Sequence, residues 1–262
     1  MIPLIKRHID EYRRTQAILD KAAAPLEDLP GGYERWVRDS MHWLVDQFGR
    51  GPLQRPIVLP AELLSSFDGT EAAARSLFRV LCQRMDVPVD RVEMRLGPLQ
   101  AIVKPPATTE PGGTPKVQCG VPVGRWFRED GRSIVTITPH LLNSPVSLVA
   151  TLTHELGHEL LIGEGRVRAP RPDLESLTDL LTVFYGFGIF AANASLSLQK
   201  HPSGRGKVPV PSGYLRQEAL ALALAHYCVL RGERRMPAWK THLDFWVRLR
   251  MKGRIPQLRS AR

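Results

Sequence analysis

The sequence predicts an α+β protein: a small antiparallel sheet with a hairpin, packed on a helix, followed by a mainly helical C-terminal half. Three observations lead there. Val92, Met94 and Leu96 alternate with charged residues, and SIVTIT (133–138) reads as a second stretch of strand. Between Arg125–Arg128 and Ser133–Thr138 lies Glu129-Asp130-Gly131-Arg132, and an Asp-Gly pair flanked by strand-like runs is a hairpin signal. From Leu148 onward, long apolar segments with helical spacing dominate the chain.

Taken in order, residues 1–22 carry mixed charges with Ile5, Ile9, Tyr12, Ile18 and Leu19, the pattern of an amphipathic helix, which LEDLPGG then ends. Tyr33–Phe48 predicts a helix with Trp36, Met41, Trp43, Leu44 and Phe48 as its apolar residues. A Pro-rich connection leads to a helix over Asp68–Met85, with Asp68 or Thr70 as its cap. The strand at Val92–Leu96 follows the turn VPVD. KPPATTEPGGTPK is a polar loop, Val117–Val123 a candidate strand, and SIVTIT an exposed or edge strand. Leu148–Leu161 predicts a core helix. Past the loop GEGRVRAPRP, Asp173 is placed to cap a long apolar helix beginning LESLTDLLTVFYGFGIFAANAS. A last long helix, Tyr214–Arg231, stops at Gly232, and the tail from Lys240 carries seven Lys/Arg, as a basic helix that frays. This organisation gives an extension (1–32), one domain (33–236) and a basic tail (237–262). Within the domain the sheet part falls at about 88–140, the two central helices at about 145–196 and the last long helix at 212–232.

The 262 residues can bury a substantial core, and their net charge of +10 favours an anionic partner such as nucleic acid, anionic lipid or an acidic protein. The three cysteines form no C-x-x-C pair, which argues against a disulfide framework and fits a reducing cytoplasm. The first residues meet Lys6, Arg7, Asp10 and Glu11 too early for a signal peptide. No stretch reads as a membrane span, since Leu180–Leu196 is interrupted by Tyr185, two glycines and Asn193.

The chemistry concentrates in LVATLTHELGHELL. His154 and His158 lie at i and i+4, so their imidazoles project from one helix face and can share a divalent ion, with zinc the usual occupant. Glu155 is rotated by about 100° from His154, placed to miss the ion and act as general base on a water bound to it. A hydrolytic zinc needs a third protein ligand. Glu175 and Asp179, again at i and i+4 on an apolar helix, are both candidates, because burying two carboxylates there is costly without a cation. Their place near a helix start also suits solvated acids that need no metal.

The H-E-x-x-H pair with a downstream E-x-x-x-D helix resembles the gluzincin zinc peptidases, over roughly Val117–Ala194. The sixteen residues between His158 and Glu175 are on the short side for that group. The resemblance implies a zincin-like fold with one Zn2+ held by His154, His158 and Glu175. It makes Asp179 the residue that orients His154, and Glu155 the catalytic base. The phrase LTDLLTVFYGFGIFAANAS resembles uncharacterised bacterial metallopeptidase-like proteins. The metzincin pattern fails, because no H-x-x-G-x-x-H extension follows His158. Gluzincins use a Tyr or His beyond the glutamate helix to stabilise the transition state. Tyr185, His201, Tyr214, His226 and Tyr227 all qualify by position, with Tyr214 the best placed to face a cleft.

Two function classes follow. One is a cytoplasmic zinc-dependent hydrolase, a peptidase acting on a protein or peptide through a Glu155-activated water. The other is a non-catalytic protein, zinc-containing or metal-free, that binds nucleic acid or a protein partner through its basic surface. No helix-turn-helix or zinc-finger spacing supports the second.

Overall fold

The computed structural model describes residues 31–99, 123–168, 171–195, 198–200, 207–209 and 213–260. The expected helix at 1–22, the loop at 104–116, His201 and the strand at 117–123 except Val123 lie outside the described residues. Helix α1 spans Tyr33–Phe48 as predicted and buries Trp36, Val37, Met41 and Leu44 along one side. Helix α2 spans Glu71–Arg84. Both residues proposed for its start contribute: Thr70 Oγ1 accepts the Ala73 N–H at 3.1 Å, while Asp68 accepts from the Thr70 N–H and hydroxyl.

The sheet differs from the expectation in two ways. Strands β1 (Val92–Leu96), β2 (Gly124–Glu129) and β3 (Arg132–Ile137) lie in the order β1-β3-β2. β2 is antiparallel to β3 but β1 is parallel to it, so the sheet is mixed and not antiparallel. SIVTIT, expected at an edge, supplies the central strand, and among the described residues β2 is left as an edge. The hairpin itself forms where predicted, with Asp130 at φ 49° and Gly131 at φ 79°, both left-handed as a two-residue hairpin turn requires. Period-two alternation reports which face of a strand is buried and carries no information about its hydrogen-bonding edges. Only the β1 pairing reveals that β3 is enclosed, and Ser133, Ile134, Val135 and Ile137 are accordingly all buried.

Helix α3 spans Pro145–His158 and continues into a π turn at Glu159–Gly163. The single apolar helix expected from Leu174 is instead two, α4 (Leu174–Phe184) and α5 (Gly188–Ala194). Gly186, at φ 88°, ends α4: its N–H bonds to Val183 O and the Phe187 N–H to Thr182 O, the paired bonds of a Schellman stop. A short ladder, β4 (Leu198–Lys200) with β5 (Lys207–Pro209), precedes α6. Helix α6 spans Gln217–Leu230, so Tyr214 lies before the helix and not at its start. Every α6 residue except Glu218 is buried, which explains why the helix is apolar all round. The basic segment forms α7 (Phe245–Ser260), which packs through Val247, Met251 and Ile255. Arg254 ties α7 to Tyr33 and Glu34 at the start of α1. Among the described residues no helix is long and apolar enough to cross a membrane.

Asp173 stands before α4 but makes no side-chain cap bond, contrary to expectation. Its buried carboxylate accepts the Trp36 indole N–H at 2.7 Å and the Arg171 guanidinium at 2.9 Å, tying α1 to the start of α4. Asp173→Ala leaves a buried indole N–H without its acceptor and is expected to cost about 1–3 kcal/mol. At roughly 2–4 °C per kcal/mol for a chain of this size, thermal unfolding shows the loss. Asp173→Asn, which keeps an acceptor, should recover most of it. Equal midpoints for Asp173→Ala and the parent would refute the strut.

Candidate metal centre

The centre is built by α3 and α4. Gly157, between the two histidines on α3, lets the helices approach: a Cβ there would stand 2.7 Å from Thr178 Cγ2 and 3.7 Å from Leu181 Cδ2 on α4. The approach brings the first turns of α4 to the two histidines. His154 Nε2 and His158 Nε2 lie 3.0 and 3.3 Å from the same oxygen, Glu175 Oε2. His154, His158 and Glu175 each offer one ligand atom, all within 4.8 Å of one another, so the cluster could hold a metal ion. The imidazoles stand edge to face, 4.8 Å between centroids.

The second carboxylate behaves differently from the first. Asp179 Oδ1 lies 2.7 Å from His154 Nδ1, on the side of the ring away from Glu175. The carboxylate oxygen accepts from the ring, so Nδ1 carries a proton and Nε2 faces the cluster. Asp179 Oδ2 accepts the main-chain N–H groups of Tyr214 and Leu215, the latter at 2.8 Å. That clasp lays the Tyr214 ring on His154, with centroids 5.5 Å apart and planes within 19°. Tyr214 remains 45% exposed, so its ring forms part of the outer wall of the centre. On the other histidine, Thr178 Oγ1 lies 3.5 Å from His158 Nδ1 and donates to Leu174 O.

The local field favours positive charge at the cluster. Burial opposes a charge on His154, but Asp179 and Glu175 outweigh it and hold the pKa well above the ordinary imidazole value. Burial would likewise raise Glu175, yet the two imidazoles outweigh it and hold the carboxyl well below its usual range. A proton and a divalent cation compete for such a place. Glu155, 6% exposed, is pushed up by burial against the pull of both histidines.

Among the residues named for a role beyond α4, Tyr214 is stacked on His154. Tyr185 instead packs against Phe48 and Phe184, and Tyr227 accepts from Arg231. His226 is buried within α6. Sequence reasoning missed the contribution of β2. Its Trp126 ring lies 6.3 Å from that of His158, and its Gly124 rests directly on Glu155. A glycine opening a strand of bulky residues was the available signal, since it marks a close backbone approach.

No protein-family model, curated protein or solved structure matches this chain.

Proposed function

We propose that the chain is a cytoplasmic zinc-dependent peptidase of the gluzincin type, acting on a protein or peptide with one Zn2+ per chain. The observation that carries this reading is the convergence of two imidazole nitrogens and one carboxylate oxygen while Asp179 occupies the far nitrogen of His154. Two histidines and a glutamate form the donor set of hydrolytic zinc centres, which keep a further position open. His154, His158 and Glu175 would hold the ion, which supplies Lewis-acid polarisation and an acidified water when bound. Asp179 fixes the His154 tautomer and raises its basicity. The Glu155 carboxylate takes a proton from the attacking water and returns it to the leaving amine nitrogen.

Two features favour a peptide over other hydrolysable substrates. Among the described residues β2 is a sheet edge beside the centre, and an extended peptide can pair its main chain with such an edge. Tyr214 is held at the outer side of the centre by its own main-chain bond to Asp179. Partial burial, then the carboxylates of Glu175, Asp179 and Glu155, push its hydroxyl pKa up, so the phenol stays protonated and can donate to a developing oxyanion.

The test combines metal analysis with a peptide-library digest. Wild type and Glu155→Gln should both carry about one zinc under chelator challenge, and His154→Ala or His158→Ala none, since two remaining ligands make a poor site. Cleavage should appear with wild type and fall by about a hundredfold or more in Glu155→Gln, the scale of a lost general base. Loss of zinc in Glu155→Gln would show that Glu155 is a ligand, and undiminished cleavage would remove it from the chemistry.

A further inference from the structure

Glu159 follows His158 directly and lies one helical turn beyond Glu155. It is almost completely buried, at the start of the π turn that ends the helix. π turns of this kind recur at functional sites. Its carboxylate accepts the indole N–H of Trp126 on β2 at 3.1 Å and the hydroxyl of Ser133 on β3. Both donors are neutral, and among the described residues Glu159 forms no ion pair. Burying a carboxylate on neutral donors costs more than burying an apolar side chain of the same size. Packing alone therefore does not explain it.

The geometry shows what it holds. β2 meets the helix at Trp126 and Gly124, and farther along Arg128 donates to Gly163 O of the π turn at 2.9 Å. At Trp126 it is tied to Glu159. Two residues earlier, at Gly124, it touches the other carboxylate: a Cβ there would stand 2.7 Å from Glu155 Oε1 and 2.4 Å from Thr151 Cγ2. Gly124 and Trp126 share a strand face, since side chains alternate. Any sideways or vertical shift of β2 therefore changes the space open to the Glu155 carboxylate. The Trp126 main-chain N–H also faces Glu155 and eases its negative charge.

We propose that Glu159 is a positioning residue for Glu155, acting through Trp126 as a clamp that sets how closely β2 lies on the helix. The clamp acts on a buried carboxylate whose catalytic use is the reading given above, and in that sense it rests on that reading. Its structural content does not. Glu159 touches neither substrate nor ion; it fixes the strand that fixes the base.

The test reads the side-chain carboxyl 13C resonance of Glu155 in zinc-loaded protein, identified as the one lost in Glu155→Gln. Glu159→Ala should move that resonance, because the tie between Trp126 and the helix is lost. Trp126→Phe should move it too, since it removes the indole donor while keeping a ring. Glu159→Gln keeps an acceptor for the indole and should leave the resonance nearly in place. On a cleaved library peptide, Glu159→Ala and Trp126→Phe should lower kcat by about ten- to a hundredfold, what a misplacement of up to about 1 Å costs, with KM little changed. Glu159→Gln should recover most of the loss. A resonance unmoved in folded, zinc-loaded Glu159→Ala and Trp126→Phe overturns the clamp. If wild type cleaves no peptide, the peptidase reading fails and the Glu155 resonance still decides the clamp.

Discussion

Glu175→Gln should lose zinc almost completely, and Asp179→Asn should retain it with affinity lowered by about a hundredfold, the upper end of what an outer-sphere partner contributes. The two carboxylates sit one turn apart on α4 yet face opposite nitrogens of His154. Removing the Glu175 charge leaves only a neutral amide at the point on which both histidines converge. The Asp179 substitution acts through proton placement. Asp179 uses one oxygen for His154 Nδ1 and the other for two main-chain N–H groups, so all its contacts are donors to it. Asn offers one acceptor and one donor. With its oxygen on the Tyr214 and Leu215 N–H groups, its NH2 faces Nδ1 and drives the proton to Nε2, the nitrogen needed by the metal. With the amide reversed, NH2 meets two N–H donors and the Tyr214 segment is released. A zinc titration of both variants beside wild type decides the matter. The reverse order of effects would make Asp179 the ligand and Glu175 a helix-start acid.

A methyl group added at Gly157 of α3 or at Gly124 of β2, against another side of α3, should separate metal holding from proton handling. Gly157→Ala gains up to about 1 kcal/mol in helix propensity. Against that, its Cβ would meet Thr178 Cγ2 at 2.7 Å, and Thr178 is pinned by its bond to Leu174 O. Overpacking of this kind costs about 1–3 kcal/mol, so the clash outweighs the propensity gain and pushes α4, with Glu175, away from the histidines. The expected result is a lower unfolding midpoint and zinc released readily to a chelator. Gly124→Ala places its methyl against Glu155 and Thr151, with no contact to the three candidate ligands among its near neighbours. Zinc should be retained while cleavage falls by about a hundredfold through misplacement of the base. Equal zinc retention in the two variants would mean that the α3–α4 approach does not set the metal site.

Much of the candidate centre was legible because its spacing is local. His154 and His158 share a helix face by their four-residue interval, and so do Glu175 and Asp179. The bounds of α1, the Thr70 cap and the Asp130-Gly131 turn were also readable, each depending on residues within a few positions of one another. Which carboxylate faces the histidines' Nε2 atoms was not settled by spacing. Both acids lie on one face, and the choice depends on how α4 approaches α3.

The sequence by itself therefore determined the α+β class, the helix that carries the histidines, and the four side chains from which the cluster and its support are drawn. Tertiary structure alone decided that SIVTIT is central, that Asp173 holds Trp36 instead of capping α4, and that Asp179 gathers the Tyr214 and Leu215 amides. It alone also laid Gly124 and Trp126 across Glu155 and Glu159, the two buried glutamates of α3 and its π turn. The physical reason is range. Helix faces, turns and strand alternation follow from torsions and spacing within one segment. Strand order and the pairing of buried donors with acceptors are settled between segments 25 to 137 residues apart, where packing and the cost of an unsatisfied polar group choose the partner.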